Sequence, residues 1–219
     1  MKYLVDEHHH GLMDDTYEKF HLCLGHRVRV KNKRARVDEF MNLLSEYEAM
    51  VVMDFKMKFE AVYYREKTTD FYEKKSSWHG SMIYSRYASA EREAAESVGD
   101  LLLDYHTTYF DHISSGDSKQ DYVAVMSQFD AKCRRVSSDF LHIRALYFQS
   151  DNTRCYKKGH LLLGLYKITI SYGMQLNAYI HTGVQDGRGS IGAHCATAMR
   201  HVHKYCNMGH DVITSSEIV

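Results

Sequence analysis

Two aspartates lie at positions in apolar segments where a carboxylate would need a partner. Asp54 lies inside "VVMDFKM", and Asp151 follows the apolar run in "YFQSD". A buried carboxylate is costly without a partner or a metal ion, and Mg²⁺ prefers oxygen ligands of this kind. The alternative for Asp54 is an ion pair with Lys56 or Arg65. The alternative for Asp151 is a turn, because Asp favours the ends of strands.

The composition excludes several classes of protein. The 219 residues carry 28 basic and 28 acidic side chains, so the chain as a whole does not bind nucleic acid through its net charge. Five cysteines without a Cys-x-x-Cys pair argue against a secreted disulfide framework and predict an intracellular location. No run approaches the ~18 apolar residues of a membrane span. Proline is absent, where average usage would give roughly eleven.

The spacing of apolar residues predicts a basic arm followed by alternating strands and helices. Residues 26–36, "HRVRVKNKRAR", contain six Lys/Arg and no acid, and "VDEFMNLLSEYEAM" then has helical spacing. We therefore divide the chain into a basic arm with an N-terminal helical segment (1–49) and a core (50–219). Beyond residue 49 the pattern predicts three strands, then helix, strand, helix, strand and helix. These predicted elements are, in chain order, 50–55, 81–87, 101–110, 119–140, 143–148, 153–168, 174–180 and 191–206.

That order predicts an α/β fold, a ribonuclease H-like mixed sheet flanked by helices. In such a fold a carboxylate on the first strand and one at the end of the fourth converge, which are the positions of Asp54 and Asp151. Two Mg²⁺ or Mn²⁺ ions about 4 Å apart, bridged by carboxylates, support phosphodiester displacement. A third acid is expected on or just before a late helix.

Four segments of the chain form an ordered set of motifs: "VVMDFKMKFEAVYYREKTTDFYEKKSSWHG", "YFDHISSGDSKQD", "FQSDNTRCY" and "YIHTGVQDGRGSIGAHCATAMRHVHKY". In these motifs, residues 50–219 resemble the catalytic core of eukaryotic DDE-type mobile-element transposases. The resemblance implies metal-dependent DNA cleavage and strand transfer in the nucleus, with Asp54 and Asp151 as catalytic metal ligands.

The third acid departs from the family pattern. In "HTGVQDGRGSIGAH", Gly183 stands where the family has Glu, and Gly192 where it has Asp. Asp186 is the remaining acid of this segment and the third candidate for catalysis and metal binding. The chain ends at "SSEIV", where the family pattern begins another helix, which predicts a truncated copy. Two functions follow: a transposase-like enzyme, or an inactive remnant that at most binds DNA.

DNA contacts are predicted at two places. Trp78 in "SSWHGSM" would stack on a base and His79 would contact phosphate, although a buried core aromatic is the simpler interpretation of Trp78. The basic arm would bind the DNA backbone, or else be a solvated charge run. Its DNA-binding candidates are Arg27, Arg29, Lys31, Lys33, Arg34 and Arg36. The sequence leaves homo-oligomer formation open.

Zinc is an alternative at the C-terminal end. The segment "HCATAMRHVHKYCNMGH" contains six residues of zinc-ligand type: His194, Cys195, His201, His203, Cys206 and His210. Structural zinc sites usually take two separated pairs of ligands, and no matching pair occurs elsewhere. A solvated, histidine-rich helix face is the simpler interpretation.

Overall fold

In the computed structural model, a long N-terminal helix precedes a five-stranded sheet that has helices on both faces. The structure describes residues 7–65, 75–98, 105–114, 117–182 and 190–218. The elements, in chain order, are α1 (Glu7–Leu43), β1 (Glu48–Phe59), β2 (Ser76–Ser85), α2 (Ser89–Ser97), β3 (His106–Ile113), α3 (Tyr122–Asp139), β4 (Ala145–Ser150), α4 (Gly159–Ser171), β5 (Gln175–His181) and α5 (Ser190–Asn207). Among the described residues, no helix combines the length and the apolar character that a membrane span requires.

The sheet is mixed, with strand order β3-β2-β1-β4-β5. The first three strands pair antiparallel, whereas β4 pairs parallel with β1 and with β5. Parallel neighbours need a crossover connection, and between β4 and β5 the helix α4 supplies it. The consequence is that β1 lies at the centre of the sheet, beside the carboxyl end of β4.

One face of the sheet packs against α3 and α4 to form the main core. Val51 and Met53 of β1 and Phe148 of β4 point to this face, where they join Phe129 of α3 and Leu165 of α4 in one buried cluster. Asp121 caps the start of α3 by accepting hydrogen bonds from the backbone amides of residues 123 and 124. Burial of each large apolar side chain stabilises the fold by about 1.5–3 kcal/mol.

The opposite face of the sheet packs against α5. Val52 and Met82 lie on this face, and Ile191 and Cys195 of α5 cover them. Successive residues of a strand point to opposite faces, so the even-numbered residues of β1, Asp54 among them, lie on the α5 side. Both faces of β1 are therefore covered, which explains its long apolar sequence.

The mixed α/β class and the sheet with flanking helices are confirmed. Each of the eight elements predicted beyond residue 49 has a counterpart in the structure, although residues 101–104 of one predicted strand lie outside the described residues. Helix α2 was not predicted. It is short, its only apolar residues are alanines and none of them is buried, so it has no large apolar side chains by which a packed helix is recognised.

The predicted arm is not a separate arm but part of α1, a single helix of 37 residues. Lys, Arg and Ala have high helix propensity, so the basic segment continues the helix instead of interrupting it. Only the C-terminal part of α1 packs on the sheet. There the Phe40 ring lies 5.2 Å from that of Tyr147, and Arg86 donates a 2.6 Å hydrogen bond to the carbonyl of Leu44.

Candidate active site

Asp54 lies within β1, and Asp151 directly follows the carboxyl end of the neighbouring parallel strand β4. The register pairs Met53 of β1 with Ser150 of β4, and each aspartate is the next residue along the chain. Adjacent strands are about 4.8 Å apart, and residues at matching positions point to the same face. Both side chains line one cavity of about 510 Å³ on the α5 side of the sheet. Two residues almost 100 positions apart in sequence thus share one site.

The site raises the pKa of Asp54 to about 6. Burial is the larger cause, and the negative charge of Asp151 adds to it, while the backbone amide of Phe55 acts in the opposite direction. The Lys56 ammonium lies 3.9 Å from the centre of the Trp78 ring, and among the described residues it forms no ion pair with Asp54. A cation bound between the two carboxylates would relieve the cost of ionising Asp54.

Asp151 has the turn role that its sequence context indicated, and it keeps an oxygen for another partner. Its Oδ1 accepts hydrogen bonds from the backbone N–H of Thr153 at 3.1 Å and from the Thr153 hydroxyl at 2.8 Å. No hydrogen bond joins Oδ2 to the described residues. The turn orients the carboxylate through Oδ1 and leaves Oδ2 available, so Asp151 can form the turn and also bind a metal ion.

One of the two glycines singled out in the sequence lies beside the aspartate pair. Gly192, in the first turn of α5, lines the same cavity as Asp54 and Asp151. Gly183 and Asp186 fall within 183–189, which lie outside the described residues. In the described part of the chain, no three His, Cys, Asp or Glu side chains form a group able to hold a metal ion. The described residues therefore fit two ligands of a cation site and not a complete set.

Helix α1 contributes two charged cavity residues that were not predicted from the sequence. Arg34 and Asp38, one helical turn apart, line the cavity together with Asp54 and Asp151. The signal in the sequence was their i, i+4 spacing beside Val37, which indicates one helix face, but only the packing of α1 shows what that face meets. A cation and an additional carboxylate thus border the aspartate pair.

The basic residues of the predicted arm are mostly at the surface. Five of them are exposed and Lys33 is half-buried. Arg36 forms an ion pair with Glu39 at 3.1 Å and lies over the Phe40 ring, so neighbouring residues of α1 partly neutralise its positive charge. Arg27, Lys31 and Arg34 follow one another at four and three residues, which places them on one face of the helix that leads to the cavity.

Trp78 and His79 do not occupy positions from which they could contact DNA. Both are fully buried, because β2 is an inner strand whose two faces are covered by helices. The Trp78 indole donates a 2.9 Å hydrogen bond to Oδ1 of Asp111. The predicted base stacking by Trp78 and phosphate contact by His79 are therefore corrected, and the core interpretation of Trp78 is the one the structure supports.

His79 belongs to a buried polar network on the α3 side of the sheet. The Lys132 ammonium nitrogen is 2.8 Å from His79 Nδ1, and His79 Nε2 is 2.9 Å from the Tyr156 hydroxyl. Burial lowers the pKa of Lys132 well below its ordinary value, and burial together with the nearby Lys132 does the same to the pKa of His79. Burial therefore disfavours the charged form of both groups, and the contact at Nδ1 places Lys132 as a hydrogen-bond donor to His79.

The possible zinc ligands of the C-terminal segment are dispersed in the structure. Cys195 and Cys206 are buried on the sheet side of α5. His194 pairs with Asp111 at 2.6 Å, and the ring of His210 stacks on Tyr205. These contacts use the side chains individually, and within the described residues they form no zinc set.

Comparison of the chain with protein-family models, with curated proteins and with solved structures found no match.

Proposed function

We propose that the chain is a ribonuclease H-like core of the DDE transposase type, whose catalytic metal site is built on Asp54 and Asp151. The observation that carries the proposal is that Asp54 within β1 and Asp151 just after the adjacent parallel strand β4 lie at the centre of the mixed sheet and line one cavity. Burial and the charge of Asp151 make ionisation of Asp54 costly, and a cation bound by both carboxylates would offset that cost. A DNA substrate would place this activity in the nucleus.

Mg²⁺ or Mn²⁺ bound at these aspartates would activate a water or a 3′-hydroxyl for attack on a phosphodiester and would stabilise the leaving oxygen. Asp54 titrates at about 6 and is therefore largely ionised at neutral pH, as a ligand must be. Thr153 fixes Oδ1 of Asp151, which orients the second carboxylate. Arg34 at the cavity rim would attract a phosphate group toward the site.

DNA would approach along α1. Arg27, Lys31 and Arg34 form a basic face that ends at the cavity, which suits contact with successive backbone phosphates. Such binding depends on salt and not on base sequence, because it arises from the release of counterions. Helix α1 thus supplies affinity for DNA, and the cavity holds the residues proposed for phosphodiester cleavage.

The second candidate function is a catalytically inactive remnant that retains DNA binding. Gly192 favours it, because a residue without a carboxylate lines the cavity at the position where the related transposases have an acid. Two carboxylates hold two ions poorly in the geometry of an in-line displacement. We therefore expect the parent protein to bind DNA and to cleave it slowly or not at all.

A cleavage assay with restored acids tests the enzyme proposal. The parent, Gly183→Glu, Gly192→Asp and the double variant are incubated with plasmid DNA and Mg²⁺ or Mn²⁺, with Asp151→Asn in the most active background as the control. We expect nicking or joining to appear in the double variant and to be lost with Asp151→Asn. Robust cleavage by the parent that is abolished by Asp186→Asn would instead assign the third ligand to Asp186.

A binding assay tests the DNA interface. Arg27, Lys31 and Arg34 are changed together to Ala, and Arg135→Ala on α3 is the control at an exposed position away from this face. Fluorescence anisotropy between 50 and 200 mM salt should show a binding slope smaller by about 3 for the triple variant, at roughly 0.9 per phosphate contact. An unchanged slope would exclude this face of α1 as the DNA interface.

A further inference from the structure

The N-terminal half of α1 carries an exposed apolar stripe. Met13, Tyr17, Phe20 and Leu24 are 63%, 67%, 59% and 40% exposed. Their spacing of four, three and four residues is that of the a and d positions of a coiled coil, which line one side of a helix. Large apolar side chains in such a row are typical of an interaction surface.

This stripe is not the face by which α1 packs on the sheet. That face contains Val37 and Phe40, which are partly buried. At 3.6 residues per turn, Leu24 and Val37 point about 140° apart around the helix axis, whereas Leu24 and the exposed Asp38 at the cavity point about 40° apart. A second molecule can therefore cover the stripe without displacing α1 from the sheet.

The distribution of charge along α1 indicates which second molecule covers the stripe. Residues 7–18 contain four acids and no Lys or Arg, whereas residues 19–30 contain Lys19, Arg27 and Arg29 and no acid. A second copy of α1 in parallel would place like charges together. A second copy in the antiparallel direction places the acidic segment of each helix against the basic segment of the other, and complementary charges set the orientation of paired helices.

We propose that two copies of the chain associate through an antiparallel pair of α1 helices. With residues 7–30 of one copy against 30–7 of the other, Met13 packs against Leu24 of the second copy and Tyr17 against its Phe20. All four layers are then apolar. The paired segment is about 36 Å long at 1.5 Å per residue. It places the two sheets at opposite ends of the pair. It does not depend on the proposed catalytic function, but the paired segment includes Arg27 of the proposed DNA-binding face.

The mass of the chain in solution tests the association. Sedimentation velocity of the full chain at ~1–100 µM should show a species of twice the 25.5 kDa chain mass. Phe20→Glu should raise the dimer Kd at least about tenfold. Leu22→Glu should leave it unchanged, because Leu22 is 64% exposed on the opposite side of the same helix. Circular dichroism and thermal melting confirm that both variants fold. A monomer at every concentration, or an equal loss in the two variants, overturns the proposal.

Cysteine crosslinking tests the orientation. Met13→Cys and Leu24→Cys are made separately in a Cys23→Ser background and then mixed under mild oxidation. The antiparallel pair predicts a disulfide between the two different chains and little crosslinking of either variant alone. Crosslinking of each variant with itself, and not with the other, would mean a parallel pair and overturn the proposal. Binding of the monomer to anionic lipid vesicles, lost in Phe20→Glu, would assign the stripe to a membrane surface instead.

Discussion

Asp54→Asn should stabilise the protein at neutral pH when no divalent metal is present. The folded protein holds the pKa of Asp54 at about 6, against an ordinary value of 3.8, chiefly through burial and then through the charge of Asp151. The folded state therefore binds more protons than the unfolded state between these two values. By linkage, the free energy of unfolding falls as the pH rises through this range. The full difference corresponds to roughly 3 kcal/mol, at about 1.36 kcal/mol per tenfold change.

The measurement is urea unfolding of the parent and Asp54→Asn at several pH values, with EDTA present. The difference in unfolding free energy between variant and parent should grow in favour of the variant by roughly 2 kcal/mol between pH 4 and pH 7. Asp139→Asn is the control, since Asp139 forms a surface ion pair with Arg135. Asp151→Asn should reduce the growth only in part, because burial is the larger cause. A pH-independent difference for Asp54→Asn would refute the description of the site.

Three further predictions concern the metal, the buried network and the core. Mn²⁺ at millimolar concentration should raise the melting temperature of the parent and not that of Asp151→Asn, and an equal rise in both would place metal binding elsewhere. The difference in unfolding free energy between Lys132→Met and the parent should shift in favour of the parent as the pH rises from 6 to 8.5. Burial lowers the pKa of Lys132 in the folded parent, so the unfolded parent binds more protons and the parent becomes more stable at higher pH; urea unfolding at the two pH values measures this. Leu161→Ala should lower the free energy of unfolding by about 2–5 kcal/mol, whereas Leu162→Ala, at an exposed position, should lower it by less than about 1 kcal/mol in the same assay.

Local sequence patterns were sufficient for most of the elements. The run around Asp54 and the one that ends at Asp151 are both apolar and rich in residues that favour strands, so each was predicted as a strand from its own residues. Helix α3 was predicted from apolar residues three and four apart. These signals depend on residues close in sequence, and no distant contact had to be known.

Contacts between distant residues decided the rest. The predicted DNA contacts of Trp78 and His79 were wrong because β2 is an inner strand. Its inner position results from pairing with β1 and β3 and cannot be read from its own residues. Asp38 reached the cavity through the docking of α1 on the sheet. The order of the predicted elements indicated that Asp54 and Asp151 converge, provided that the strands pair as in a ribonuclease H-like sheet. Only the parallel register of β1 and β4 decided that they share one cavity, because pairing across almost 100 residues depends on how the whole core packs.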